Sequence, residues 1–513
     1  MKKLLKFILS RTFLFGVLIA LQVGLFLFLT YQFSRLGSYA YLLLTLVSVL
    51  VVVAVLEHAG TNPAYKIMWI LIVVLLPVSG PFFYLMWGKR TIIPKRAAHF
   101  LDIDRRAAAS MAPDPDVGRA MLAAFPNQGR TMEYLATHAA APVYDDTRAA
   151  YFPMGEDFFE VFLRELEGAR RYIFMEYFIV EEGEMWDRTL EVLKRKVSEG
   201  VDVRVIYDGF GSMFTLPSDY DETLRGFGIK CRVFSPLAFS WHLADYKMLN
   251  HRDHRKVAVI DGEVGFTGGY NFADEYINRK QRFGVWKDTG LMLKGPAVYP
   301  LTVMFLKMWD FVAGCETKYQ QYRPAARCEG ADGFVQPYCD SPLDDESVSE
   351  NVYFSLIQSA KHYVYIVSPY LILDNEMVTT LCLAAKSGVD VRIITPGIPD
   401  KWYVYYVTQS FYGELLRAGV RIYEYTPGFI HAKMYVCDDE AAVVGSANMD
   451  YRSLYLHFEN CCLFYGGHMV QDVKQDIRET LALCREVTLD DTRNVPLYKW
   501  LAQVFLRFFA PLM

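Results

Sequence analysis

GVDVRVIYDG, at residues 200–209, returns at residues 388–397 as GVDVRIITPG. Each copy opens on a glycine and runs into β-branched residues, the pattern of a short buried strand entered from a turn. The flanks repeat in the same order. ARRYIFMEYFIV at 169–180 is answered by AKHYVYIVSPYLI at 360–372, and LRGFGIKCRVF at 224–234 by LRAGVRIYEY at 416–425. Each copy reads helix, apolar strand, helix, strand, helix, short strand, an α/β order that predicts a largely parallel sheet with helices on its faces. The expected fold is two tandem α/β/α sandwich halves related by a pseudo-two-fold axis. A site between them would receive one copy of every motif.

Each half then reaches a second repeated feature, NHRDHRKVAVIDG at 250–262 and FIHAKMYVCDDE at 429–440. Both set a histidine, a lysine two positions on and an aspartate five positions later: His254, Lys256, Asp261 and His431, Lys433, Asp438. These six are the candidate catalytic set. Side chains at i and i+2 of a strand share a face, so each histidine projects beside its lysine while Arg255 and Ala432 point the other way. Small residues and an asparagine follow at one offset, Gly268, Gly269 and Asn271 in the first half and Gly445, Ser446 and Asn448 in the second. Gly269 and Ser446 let backbone approach a ligand and Asn271 and Asn448 add neutral donors, which makes these four the candidate phosphate-binding residues.

Lysine is not a usual metal ligand, and no cluster of acids accompanies the motif, so the chemistry is expected to need no metal and no cofactor. Two ammonium groups would clamp a phosphodiester while one imidazole attacks phosphorus and the other, protonated, supplies the leaving alkoxide with its proton. Such a division of labour wants a carboxylate to orient each ring. Asp288 in WKDTG and Glu459 in HFEN, each following the histidine of its own half, are the candidates.

Outside the repeats the chain changes character. Residues 13–33, 39–56 and 67–87 carry no Asp, Glu, Lys or Arg and approach the roughly 20 residues that cross hydrocarbon. They predict an N-terminal membrane region of two to three helices over 1–92, multi-pass, with the third run interrupted by Pro77, Gly80 and Pro81. Lys2, Lys3, Lys6 and Arg11 precede these runs and Lys89, Arg90, Lys95 and Arg96 follow them, which expects the catalytic part to face the cytoplasm. A linker or peripheral helices at 93–135 lead into halves at 136–325 and 326–493. An amphipathic helix over 494–513 places Leu497, Trp500, Leu501, Val504, Phe505 and Phe508 at helical spacing, and is expected to pack this stripe on the core, with an interfacial membrane helix as the alternative. The net charge of −5 gives no basic field for nucleic acid. The nine cysteines form no C-x-x-C pair.

The paired HRKVAVID and HAKMYVCD resemble the doubled signature of the phospholipase D superfamily, and the chain is similar over nearly its whole length to bacterial cardiolipin synthases. TNPAYKIMWILIVVLLPVSGPFFYLMWGK resembles their membrane segment, and NHRDHRKVAVIDGEVGFTGGYNFADEY, WKDTG, GFIHAKMYV and GSANMDYRSL their catalytic segments. The resemblance implies an enzyme of the bacterial cell membrane whose partners are phosphatidylglycerol and membrane lipid; a homo-oligomer stays open. It implies transfer of a phosphatidyl group between two phosphatidylglycerols through a phosphatidyl-histidine, with His254 as nucleophile and His431 as acid then base, although the two motifs are alike in type. A hydrolase, or a transferase with another acceptor alcohol, is the alternative. The chain departs from many relatives at Asp253, Gly290 and His457. Phe239, Trp241, Trp402, Tyr403 and Tyr405 are candidates for an acyl entrance.

Overall fold

The structure, a computed structural model, describes residues 20–22, 24, 25, 28, 36–57, 62–88, 94–236, 250–324, 330–344 and 346–513. It divides into two compact units, essentially the segment through Ile92 and the two repeated halves. In the first unit a helix over Leu36–Glu57 is followed by a second over Pro63–Leu75, started by Asn62, whose side chain accepts the Ala64 N–H at 3.0 Å. The third apolar run is not one helix. It breaks after Leu75 ahead of Pro77, then continues as a short helix over Ser79–Phe83 and a π-turn over Tyr84–Gly88, because proline has no N–H to extend the ladder. Gly80 at this break packs 2.7 Å, in terms of an added Cβ, from the Ile72 carbonyl. Among the described residues no helix is long and apolar enough to cross a membrane. Most of the first run, 13–33, lies outside the described residues.

The second unit holds the sheets. The first half supplies β1 (Arg148–Phe152), β2 (Tyr172–Tyr177), β3 (Asp202–Asp208), β4 (Lys230–Phe234), β5 (Arg252–Asp253), β6 (Val257–Ile260), β7 (Val264–Gly268), β8 (Val285–Lys287) and β9 (Gly290–Lys294). The second supplies β10 (Phe334–Asp340), β11 (Tyr363–Val367), β12 (Asp390–Pro396), β13 (Arg421–Tyr425), β14 (Gly428–Ile430), β15 (Met434–Cys437), β16 (Ala441–Gly445), β17 (His457–Tyr465) and β18 (Cys484–Val487). The first sheet runs β1-β9-β7-β6-β2-β3-β4 and the second β10-β17-β16-β15-β11-β12-β13-β18. Apart from β18 the two orders are the same, so the duplication read in the sequence is a duplication of topology.

The sheets are mixed rather than largely parallel. Only β2, β3 and β4, and β11, β12 and β13, run parallel within them; the neighbouring strands β6-β7-β9 and β15-β16-β17 alternate. The cause is local. Asp261 and Gly262 between β6 and β7 have φ of 55° and 73°, and Asp438 and Asp439 between β15 and β16 have φ of 50° and 59°. Two successive left-handed residues make a tight hairpin, and a hairpin joins only antiparallel strands.

Helices close both sheets. That over Val298–Ala313 is buried along nearly its whole length, and that over Gly155–Glu167 turns Phe158, Phe159, Phe162, Leu163 and Leu166 inward. The segment 93–135 is largely helical, over Pro94–Ala108, Pro115–Ala124 and Gly129–His138, and takes part in the core: Phe100 lies 5.3 Å from both Phe311 and Phe458.

The C-terminal helix, Leu497–Phe508, departs from the expected packing. Its apolar stripe faces outward, with Leu497 71%, Tyr498 70% and Phe505 64% exposed, while Gln503 is buried at 7%.

Candidate active site

Two short strand pairings outside the hairpin ladders join the halves. β5 lies parallel to the start of β17, Arg252 opposite His457 and Asp253 opposite Phe458. β14 lies parallel to β8, Phe429 opposite Trp286 and Ile430 opposite Lys287. Each exchange ends on a motif histidine. The His254 N–H donates to the Phe458 carbonyl at 3.0 Å, and the His431 N–H to the Lys287 carbonyl at 2.7 Å. The next residue on each accepting strand is a carboxylate, which turns back on the ring: Glu459 Oε2 is 2.9 Å from His254 Nδ1, and Asp288 Oδ2 is 2.6 Å from His431 Nδ1. Both candidate acids, Asp288 and Glu459, thus lie against a motif histidine, but the pairing is crossed. Each lies on the histidine of the opposite half, because the β5–β17 and β14–β8 pairings set each carboxylate-bearing strand beside the other half's motif.

Both lysines share the site with these rings. Lys256 Nζ donates to the His254 carbonyl at 2.6 Å, and Lys433 Nζ lies 2.9 Å and 3.0 Å from the two ring nitrogens of His431. All four side chains are buried. Burial, then the neighbouring ammonium groups, pushes the His254 imidazole well below its ordinary value, and burial with Lys433 brings His431 down to about 4 despite Asp288. Burial lowers Lys256 to about 7 and Lys433 to about 8. Burial acts upward on Asp288, but His431 and Lys433 outweigh it and hold the carboxyl below its ordinary value. Desolvation thus favours neutral imidazoles and lysines that shed their charge easily, a cost that an anionic phosphodiester between the ammonium groups would offset.

The remaining motif residues build this geometry rather than enter it. A Cβ at Gly269 would stand 1.9 Å from Asp288 Oδ1, so glycine is what admits that carboxylate. Ser446, its counterpart, donates to Glu459 Oε2 at 2.5 Å. Asn271 accepts the Ile179 N–H at 3.1 Å and donates to the Tyr276 hydroxyl at 2.7 Å. Asn448 donates to Ser453 at 3.1 Å, and its Oδ1 is buried without a hydrogen-bond partner.

Asp261 and Asp438 stand apart, at the far ends of β6 and β15. Asp261 accepts the N–H groups of Arg170, Arg171 and Tyr172 at 2.7–2.8 Å. Asp438 accepts those of Lys361, His362 and Tyr363 at 2.5–2.9 Å. They are hairpin-turn residues that clamp the entry to β2 and β11, so of the six candidate residues the structure brings together the two histidines and two lysines and leaves the two aspartates outside. Asp253 likewise turns away from the rings, 3.1 Å from Arg255 Nε, as alternation along the strand requires.

The sequence reading missed the walls of the site. Around His431 they are aromatic: Trp286 at 5.5 Å, Tyr276 at 5.6 Å and Phe429 at 5.9 Å between ring centroids. Around His254 they are Phe178 at 5.0 Å and His457 at 5.7 Å. Trp286 and His457 occupy equivalent positions, each two residues before the orienting acid and so on its face of the strand; period-two alternation would have found them. His457 is buried, its pKa pushed down to about 3 by that burial despite Glu459, whose Oε1 lies 3.8 Å from Nδ1. Among the described residues, ligand atoms of His254, His457 and Glu459 lie within 4.8 Å of one another, the one grouping able to hold a metal ion. Of the proposed entrance residues, Trp402 and Tyr403 are exposed, Tyr405 donates to Glu424 at 2.8 Å, and Phe239 and Trp241 lie outside the described residues.

The family described as "Cardiolipin synthase, PLD-like domain" matches residues 162–309 and 353–481, more than half of the chain. Residues 43–89 match the family described as "Phospholipase D-nuclease N-terminal". The chain is 42% identical to an uncharacterized protein of Streptococcus mutans over 87% of its own length and 96% of that protein's. It is 34% identical to a cardiolipin synthase of Geobacillus kaustophilus over 97% of each. A solved phosphatidylserine synthase of Haemophilus influenzae, 14% identical, superposes with a TM-score of 0.57 over 74% of this chain and 96% of that one, a likeness of fold.

Proposed function

The chain belongs to the family of cardiolipin synthases built on the phospholipase D-like domain, and from that membership we propose that it joins two phosphatidylglycerol molecules into cardiolipin, releasing glycerol. The observation that carries the reading is the crossed pair of histidine–carboxylate contacts, which gives one site two oriented imidazoles and two ammonium groups.

The first phosphatidylglycerol binds with its phosphate between Lys256 and Lys433, whose charges offset the charge that develops on phosphorus-bound oxygen. With Nδ1 of His254 engaged by Glu459, Nε2 attacks phosphorus. The bond from phosphorus to the headgroup oxygen breaks, and His431, held by Asp288, gives its proton to the departing glycerol. The arriving anion raises the proton affinity of His431, which burial otherwise keeps low. A phosphatidyl-histidine remains. The primary hydroxyl of a second phosphatidylglycerol then loses its proton to His431 and attacks phosphorus, and the phosphorus–nitrogen bond breaks to return His254. The six-residue motif divides into His254, Lys256, His431 and Lys433 as catalytic groups and Asp261 and Asp438 as structural ones.

Both substrates live in a bilayer. The helix Leu36–Glu57 turns Leu42, Leu43, Leu46, Leu50 and Val53 outward, which supports a membrane-anchored enzyme, and holding the site at that surface raises the encounter rate of two lipids without added contacts. The flanking lysines and arginines favour a cytoplasmic catalytic unit.

The test is product analysis. Purified full-length protein in phosphatidylglycerol vesicles should form cardiolipin and glycerol in equal amounts, and His254→Ala and His431→Ala should abolish both. Phosphatidic acid as the sole lipid product would replace the transferase with a hydrolase.

A further inference from the structure

A surface helix ordinarily buries its apolar stripe and shows water its polar side. The C-terminal helix Leu497–Phe508 does the reverse. Leu497, Tyr498, Trp500, Leu501, Val504 and Phe505 are exposed, whereas Gln503 is buried. The polar side chains are spent on the protein: Lys499 Nζ lies 5.2 Å over the Tyr406 ring, and Arg507 packs 4.3 Å over Phe411 and reaches the Ser410 carbonyl at 3.4 Å. This arrangement seats the helix alongside Trp402–Ala418, with the starts of the two helices together. Trp402, exposed there, lies 5.6 Å from the Tyr406 ring and extends the apolar face.

The same corner leads to the site. Asp400 accepts from the Tyr370 hydroxyl at 2.6 Å, Tyr370 lies 6.5 Å from Phe429, and Phe429 lies 5.9 Å from His431. Lys401 is close enough to act electrostatically on His254. What covers the face is read from its chemistry. Tyr498 and Trp500 stand exposed among the aliphatic side chains of the stripe, with Trp402 beside them, and Tyr and Trp are the residues that suit a boundary between water and hydrocarbon. The two cations of the helix are turned to the protein, Arg507 lying 3.7 Å from Glu414, so the outward face offers apolar and aromatic contact, the chemistry of a helix lying in a lipid interface.

We propose that the outward face of Leu497–Phe508, continued by Trp402, is the surface on which the catalytic unit lies against a lipid bilayer, so that substrate reaches His431 past Tyr370. The proposal rests on the lipid-substrate reading above and adds which face meets the lipid.

Two measurements on the full-length chain test it. A photo-crosslinking residue in place of Leu501, in vesicles of phosphatidylcholine with phosphatidylglycerol, should give phospholipid adducts. Crosslinks to protein alone, or none, overturn the proposal, and this readout holds whatever reaction the enzyme performs. Leu501→Asp and Phe505→Asp should lower kcat/KM on vesicle-borne phosphatidylglycerol about tenfold or more, the worth of one buried apolar side chain. Their rates on a monomeric short-chain phosphatidylglycerol should stay within about twofold. Equal losses on both substrates, or none on vesicles, overturn it.

Discussion

Glu459 Oε2 meets His254 Nδ1 at 2.9 Å across the interface between two halves of one chain, and among the described residues of the first half no carboxylate does this for His254 in its place. A neutral analogue of such a carboxylate keeps the shape but loses the charge that fixes the ring and its tautomer. Glu459→Gln and Asp288→Asn should each lower kcat about 10- to 100-fold, with KM changed little. Steady-state kinetics on phosphatidylglycerol decide this; a wild-type kcat in either variant would remove the crossed contacts from the mechanism.

Lys256 and Lys433 set the alkaline limit. Burial depresses both, to about 7 and about 8, and it is the charged forms that meet the phosphate. The sign follows: kcat/KM should fall as pH rises through about 7 to 8, well before an ordinary lysine would titrate. Lys256→Arg keeps its charge and should move the decline upward even if the rate is lower. A profile level to about pH 9 would contradict this account.

Asp261 should prove a stability residue despite its place in the motif. It accepts three backbone N–H groups at the start of β2, and losing such bonds leaves donors unpaired at about 1–3 kcal/mol. Asp261→Ala should therefore lower the thermal midpoint while the folded protein retains most of its kcat. A normal midpoint with activity lost would reverse the assignment.

Gly269→Ala makes the opposite trade. The added methyl would collide with the Asp288 carboxylate at 1.9 Å, and moving that carboxylate misaims His431. Activity should fall about tenfold or more, with unfolding by denaturant only modestly affected. Unchanged activity would show that Asp288 has room to adjust.

The duplicated topology and the two His–Lys faces were legible because repetition is visible in sequence and strand alternation fixes which side chains share a face. The crossed pairing was not. Alternation tells that Asp288 and Glu459 leave their strands in a given direction, but which sheet lies there depends on β5–β17 and β8–β14, pairings of two or three residues with no periodic signal of their own. The mixed sheet is not legible because Asp261 and Asp438 stand in the motif as candidate chemistry, and only their left-handed backbone, with that of Gly262 and Asp439, marks them as turns. The outward stripe of Leu497–Phe508 escaped because a helical repeat of apolar residues reports amphipathicity and is silent on which solvent the oily side meets.

Trp286 and His457 stand at matching positions in the two halves. A duplicated frame would by itself treat the two ends of its cavity alike, yet here one end is lined by an indole and the other by an imidazole whose Nδ1 lies 3.8 Å from Glu459 Oε1. The site is therefore polar in the directional sense, like a lock with a marked front. In the proposed reaction two molecules of one compound, indistinguishable in bulk, would become different on entry: the one that surrenders its headgroup and the one that keeps it.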